Sequence, residues 1–134
     1  MNTTIHTVAE IRPRLLVIED EPSVAAFLYT ALERRGYEVV AANSAEAGLH
    51  ALAASNFQGV ISDFRTPGEV SGADVHKWVS KHRPELANHF VFITGDVASD
   101  ETIFLLAQAG TPCIEKPFRV QQLIDAVEKT IGKP

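Results

Sequence analysis

Five short apolar runs, separated by stretches with helical spacing, constrain what this chain can fold into. The runs are Leu15–Glu19, Glu38–Ala42, Gly59–Asp63, Phe90–Thr94 and Pro112–Glu115. Three of them are apolar almost throughout instead of alternating, as strands covered on both faces are. The stretch after Pro22 sets Val24, Phe27, Leu28, Ala31 and Leu32 on one stripe and stops at Gly36. A second, opened by Ser44 with Ala47 behind it, runs to about Ser55. A third follows Ser71-Gly72, where Ser71 can cap and Asp74 sits close to a capping-box position. A fourth runs from Ser99 or Asp100 to Gly110. The last carries Val120, Leu123, Ile124, Val127 and Ile131 on one stripe.

Strands that alternate with helices are joined by crossovers and therefore lie parallel; tight hairpin signals are absent. The expected fold class is α/β, a doubly wound five-stranded parallel sheet with helices on both faces, flavodoxin-like, strand order 2-1-3-4-5. At 134 residues the chain fits one such domain. Residues 14–132 are expected to form it. Residues 1–13 read as a polar leader, compatible with disorder and without the apolar run of a secretory signal. The chain ends three residues after Ile131, so no output domain is expected to follow.

Composition excludes several classes. The formal net charge is −5 with no Lys/Arg run, so no direct nucleic-acid contact is expected. No apolar run approaches the ~18–20 residues of a membrane span. The single cysteine, Cys113, cannot form an intramolecular disulfide, and the cytoplasm is the default compartment.

In open parallel sheets, ligands bind beyond the carboxyl ends of the strands. Glu19, Asp20 and Glu21 follow the first strand, Asp63 ends the third, Thr94 ends the fourth and Lys116 follows the fifth. Each has an ordinary structural explanation. Glu21 or Asp20 ahead of Pro22 can cap a helix. Asp63 can open an Asx turn, Thr94 suits a strand, and Lys116 can be solvated. Their joint arrival on one rim is harder to explain that way. Carboxylates of Glu19, Asp20 and Asp63 so close together repel, and a hard divalent cation removes the cost. Mg²⁺ takes oxygen ligands and keeps several waters. Asp20 and Asp63 can bind it directly, Glu19 through a water, and a backbone carbonyl after Asp63 can complete the set. An aspartate in that setting is a competent phosphoryl nucleophile. Lys116 supplies a positive charge to a phosphoryl oxygen and Thr94 a hydroxyl.

These residues, in the motifs LLVIEDEP (15–22), VISDFRTPG (60–68), FVFITGD (90–96) and CIEKPF (113–118), resemble the response-regulator receiver domains of two-component systems. The likeness runs from Arg14 to Ile131 and extends to the chemotaxis regulator and to receiver domains of hybrid histidine kinases. It implies Mg²⁺ at Glu19, Asp20, Asp63 and the Arg65 backbone carbonyl. It also implies phosphorylation of Asp63 by a histidine kinase or histidine phosphotransfer protein, with Lys116 and Thr94 on the phosphoryl group. It implies a signalling phosphoacceptor, not an enzyme, with kinase activity only within a hybrid kinase. The Lys116–Pro117 bond is usually cis in such domains. The output partner, or a second copy, is expected on the face of the fourth helix, fifth strand and fifth helix, where Ile103, Phe104, Leu105 and Leu106 are consecutive.

Three departures stand out. Glu19-Asp20 replaces the two aspartates of many members, and TPGEVSG reads one residue longer than the common loop. Cys113 takes a position often aromatic, so the readout is expected to differ; the residue itself reads as a small buried hydrophobe. Arg65 and Asp96, each two residues past a site residue, are expected to pair and tune phosphoryl lifetime.

Other classes fit less well. A flavin or dinucleotide carrier needs a Gly- or Ser/Thr-rich loop where Glu19-Asp20-Glu21 stands. An aspartyl phosphatase wants an acid at Arg65, and no P-loop motif occurs. The histidines at 6, 50, 76, 82 and 89 lack zinc spacing and read as surface residues. The rival is a receiver-like interaction module that acts without phosphorylation.

Overall fold

The structure is a computed structural model that describes residues 12–95 and 110–134. Its elements run β1 (Arg14–Ile18), α1 (Pro22–Arg35), β2 (Glu38–Ala42), α2 (Ala45–Ala54), β3 (Gly59–Asp63), α3 (Gly72–His82), a single turn α4 (Pro84–Ala87), β4 (Phe90–Thr94), β5 (Cys113–Glu115) and α5 (Val120–Thr130). The sheet is parallel throughout in the order β2-β1-β3-β4-β5, as the alternation of runs predicts. α4 has no counterpart in the sequence expectations; at four residues it is too short for periodicity to show. The expected helix at 99–110, with Ile103 to Leu106, lies outside the described residues, as does Asp96.

Strand alternation builds two cores. Leu15, Val17, Ile61, Val91, Ile93 and Ile114 face Leu28 and Leu32 of α1 and Leu123, Ile124 and Val127 of α5. Leu16, Ile18, Val60, Phe90 and Phe92 face Leu52 of α2 and Val75 and Val79 of α3. With every side chain of β3 and β4 buried, those strands read as apolar runs rather than alternating ones.

Local signals set the ends. Gly36 closes α1 in the left-handed region, at φ +118°, where a Cβ would be strained. Ser44 Oγ accepts from Ala47 N at 3.0 Å and opens α2. Ser71 and Asp74 form the capping box of α3, with Ser71 N donating to Asp74 Oδ2 at 2.9 Å and Asp74 N to Ser71 Oγ at 3.3 Å.

Two stripe residues fall off the core. Phe27 is 39% exposed and packs on Phe118, ring centroids 5.8 Å apart, so it lines the cavity between α1 and the Lys116–Phe118 segment ahead of α5. Val120 is 46% exposed because it opens α5, one turn ahead of Leu123, the first stripe residue the sheet covers.

The chain's last turn is tied down by Tyr37, whose buried hydroxyl donates to the Gly132 carbonyl at 2.5 Å. Tyr37→Phe leaves that carbonyl without its donor. We expect a loss of about 1 kcal/mol in urea denaturation, with the slope unchanged.

Candidate functional site

The carboxyl ends of β1, β3, β4 and β5 open on one cleft of about 470 Å³, lined by Asp20, Glu21, Asp63, Arg65, Thr66, Pro67, Thr94, Gly95 and Lys116. Parallel pairing puts these ends on the same rim: Ile18 lies beside Ser62, Asp63 beside Ile93, and Thr94 beside Glu115. Ligand-bearing oxygens of Glu19, Asp20 and Asp63 all lie within 4.8 Å of one another. Lys116 Nζ stands 3.0 Å from Glu19 Oε1, 3.2 Å from Asp63 Oδ2 and 3.6 Å from Glu21 Oε1. The expected convergence of the three acids and the ammonium is thus what the geometry has. Thr94 is buried and lines the cleft, and its carbonyl accepts from Lys116 N at 2.7 Å, which ties the end of β4 to the lysine backbone. Lys116–Pro117 is cis.

Electrostatics follow from burial. Burial pushes the Asp63 carboxyl up to about 7, and the Glu19 charge pushes the same way against the pull of Lys116. Burial works against the Lys116 charge, yet Glu19 and Asp63 together hold its pKa above the ordinary lysine value. Glu19 is fully buried; its Oε2 accepts from Glu21 N at 3.1 Å. Among the described residues its Oε1 has no aligned hydrogen-bond partner, and Lys116 Nζ stands beside it at 3.0 Å.

Residues 15–128 match the family described as the response regulator receiver domain. The chain belongs to that family. It is 31% identical to the response regulator protein FleR of Pseudomonas aeruginosa over 87% of this chain and 24% of FleR. It is 25% identical to the nisin biosynthesis regulatory protein NisR of Lactococcus lactis over 90% of this chain and 51% of NisR. The chain therefore spans a quarter to a half of these relatives. Among solved structures it resembles a CheY-like receiver domain from Methanospirillum hungatei, with a TM-score of 0.81, 25% identity and coverage of 90% and 94% of the two chains. It also resembles the response regulator TrrA of Thermotoga maritima in complex with Mg²⁺-BeF, with a TM-score of 0.77, 27% identity and coverage of 88% and 98%.

The donor set of this receiver domain fits a hard divalent cation. Among the described residues it offers only oxygen, from three carboxylates, and includes a buried carboxylate oxygen with no aligned donor among them. No described helix is long and apolar enough to cross a membrane.

Four residues carry more than the sequence reading anticipated. Glu21 stands at the N-cap of α1, but its side chain makes no capping bond and reaches the cleft instead. Ser62 Oγ donates to the Asp63 carbonyl at 2.9 Å. Gly72 lies so close that a Cβ there would be 1.8 Å from the Asp63 carbonyl oxygen. No pattern within one segment signals that contact. His76, expected at the surface, is half-buried instead. Its Nε2 lies 3.0 Å from Thr111 Oγ1, its ring meets Phe90 edge-on, and burial lowers its pKa.

Cys113 also departs from expectation. It is exposed on the edge strand β5, where only Ile114 points inward, so it is no buried hydrophobe. Partial burial and the nearby Glu115 charge push its thiol up to about 11, and it stays protonated near neutrality.

Proposed function

We propose that Asp63 accepts a phosphoryl group and that Glu19, Asp20, Asp63 and the Arg65 backbone carbonyl serve a bound Mg²⁺. The carrying observation is Lys116 Nζ poised 3.2 Å from Asp63 Oδ2 among three carboxylates within 4.8 Å. When bound, the cation supplies positive charge to the carboxylates and to the phosphoryl oxygens. A carboxylate oxygen of Asp63 forms the new P–O bond as the phosphorus–nitrogen bond of a phosphohistidine breaks, the imidazole nitrogen keeping the electron pair. The nucleophile is already ionised when it reacts, so no side chain is needed to remove a proton. Lys116 is placed to follow the charge from Asp63 to a phosphoryl oxygen, and Thr94, on the same rim, to donate its hydroxyl.

In this reading the donor is a histidine kinase or histidine phosphotransfer protein in the cytoplasm. The output is a change in protein binding at the surface that includes β5 and α5, either to a downstream target or to a second copy, without direct nucleic-acid contact. The acidic balance of the chain, −5, supports a protein partner over a nucleic acid.

Incubation with Mg²⁺ and acetyl phosphate tests the reading. The expected result is a mass gain of one phosphoryl group, lost when the metal is chelated. An unchanged mass with Mg²⁺ present would end it.

A further inference from the structure

The N-cap residue of α1 has a side chain with no capping task. Glu21 is pinned through its backbone: its N–H donates to Glu19 Oε2 at 3.1 Å and its carbonyl accepts from Ala25 N at 2.9 Å. Pro22 follows it at the first helical position. From that anchor its carboxylate, 60% exposed, stands at the mouth of the cleft, 3.6 Å from Lys116 Nζ. Lys116 thus faces three carboxylates at once, two of them inside the site and one at its entrance.

We infer that Glu21 is a specificity-determining residue, its rim carboxylate selecting among phosphoryl donors by their charge; this rests on the phosphoacceptor reading above. The position of its charge decides which donors it slows. A divalent cation and Lys116 together balance Glu19, Asp20 and Asp63. Glu21 adds a negative charge that Lys116, already shared, does not neutralise. Arg65, which also lines the cleft with its guanidinium 6.0 Å from the Phe64 ring centroid, brings the count to balance, so donors are discriminated by the local repulsion of the Glu21 carboxylate at the mouth and not by a net negative site. A donor that arrives as a small dianion meets the Glu21 carboxylate on entry and is slowed by it. A donor whose phosphorus is bonded to a protonated nitrogen brings one negative charge fewer and is slowed less. Glu21 so favours nitrogen-linked phosphoryl groups over acyl phosphates.

Acetyl phosphate and phosphoramidate separate the two cases. With acetyl phosphate, an Asp63 oxygen bonds to phosphorus, the P–O bond to the acyl group breaks, and acetate leaves with the electron pair. With phosphoramidate, the P–N bond breaks and ammonia leaves with the pair. In the full chain at low salt with saturating Mg²⁺, Glu21→Gln is expected to speed phosphorylation by acetyl phosphate about fivefold and by phosphoramidate about twofold, the square root expected for half the charge, a gap that closes near 0.5 M salt. Glu21→Asp keeps the charge and should keep the native donor ratio. Calorimetric Mg²⁺ affinity should change less than about threefold in Glu21→Gln. Equal acceleration with both donors, no acceleration with acetyl phosphate, or a tenfold loss of Mg²⁺ affinity would each overturn the inference while leaving Asp63 as acceptor. No adduct from either donor in the unsubstituted protein would overturn both.

Discussion

Asp63→Asn is expected to take no phosphoryl group from any donor and, without Mg²⁺ at pH 7.5 to 8, to be more stable than the unsubstituted protein by roughly 2 kcal/mol. The two effects share a cause. Asp63 is buried at the end of β3, beside the Glu19 charge, and these raise its pKa from 3.8 to about 7. An acid whose folded pKa is raised binds more protons folded than unfolded between those values. Its contribution to stability is therefore fully present below pH 3.8 and is lost as pH rises through about 7. Asparagine removes the charge and keeps the shape, so its advantage is small near pH 4, grows through neutrality and levels off above it. Lys116 limits the gain, because in the variant it keeps only Glu19 and Glu21 as partners. Mg²⁺ should reverse the ranking: it binds the native carboxylates and stabilises the unsubstituted protein by mass action, ~2.7 kcal/mol at a hundredfold excess over Kd. Thermal melts of both proteins from pH 4 to 8, with and without Mg²⁺, check the sign. A metal-free variant less stable at pH 8 than its parent would show that burial does not strain this carboxylate.

Gly72→Ala should lower stability by about 3 kcal/mol, which for a chain of this size is a fall in Tm of about 10 °C. The sign is informative because two rules conflict. Gly72 opens α3 with no positive φ, so helix propensity and chain entropy both predict that alanine stabilises, by up to ~1 kcal/mol. Packing predicts the reverse. A Cβ at Gly72 would stand 1.8 Å from the Asp63 carbonyl oxygen and 2.9 Å from Ser62 Oγ, and a backbone carbonyl in a fully buried strand has no rotamer by which to withdraw. Since the displaced group is the backbone of Asp63, the variant should also take up phosphoryl more slowly than its lost stability explains. Urea denaturation, with phosphorylation rates measured well below the new midpoint, separates the two. A stabilised Gly72→Ala would mean that β3 and α3 are less tightly docked than this geometry requires.

Much of the site is legible in the sequence, for a physical reason. Buried parallel strands are short apolar runs, so their ends show in the sequence as the first polar residue after each run. Glu19, Asp20, Asp63, Thr94 and Lys116 all sit at such ends, and the parallel topology carries strand ends to one rim. Where expectation and structure differ, the cause is different. Phe27 and Val120 lie on apolar stripes yet outside the core, since periodicity gives a direction around the helix but not how far the sheet extends beneath it. Spacing alone puts His76 at the surface, since nothing local reports that Thr111 and Phe90 meet its ring. Residue type alone makes Cys113 a buried hydrophobe, and an edge strand exposes it.

The sequence by itself therefore determined the five strands, the parallel sheet and the identity of the acids, hydroxyl and ammonium on the rim, because each follows from patterns within one segment or from a rule about how strands must connect. Only the tertiary structure decided which of two uses an adjacent acid has. Glu21 could cap α1 or enter the cleft, and the choice rests on the 3.6 Å contact with Lys116, 95 positions along the chain, that no local pattern encodes. It likewise decided that Gly72 must be glycine, since the requirement comes from the Asp63 carbonyl on another element, where close packing leaves no space for one carbon.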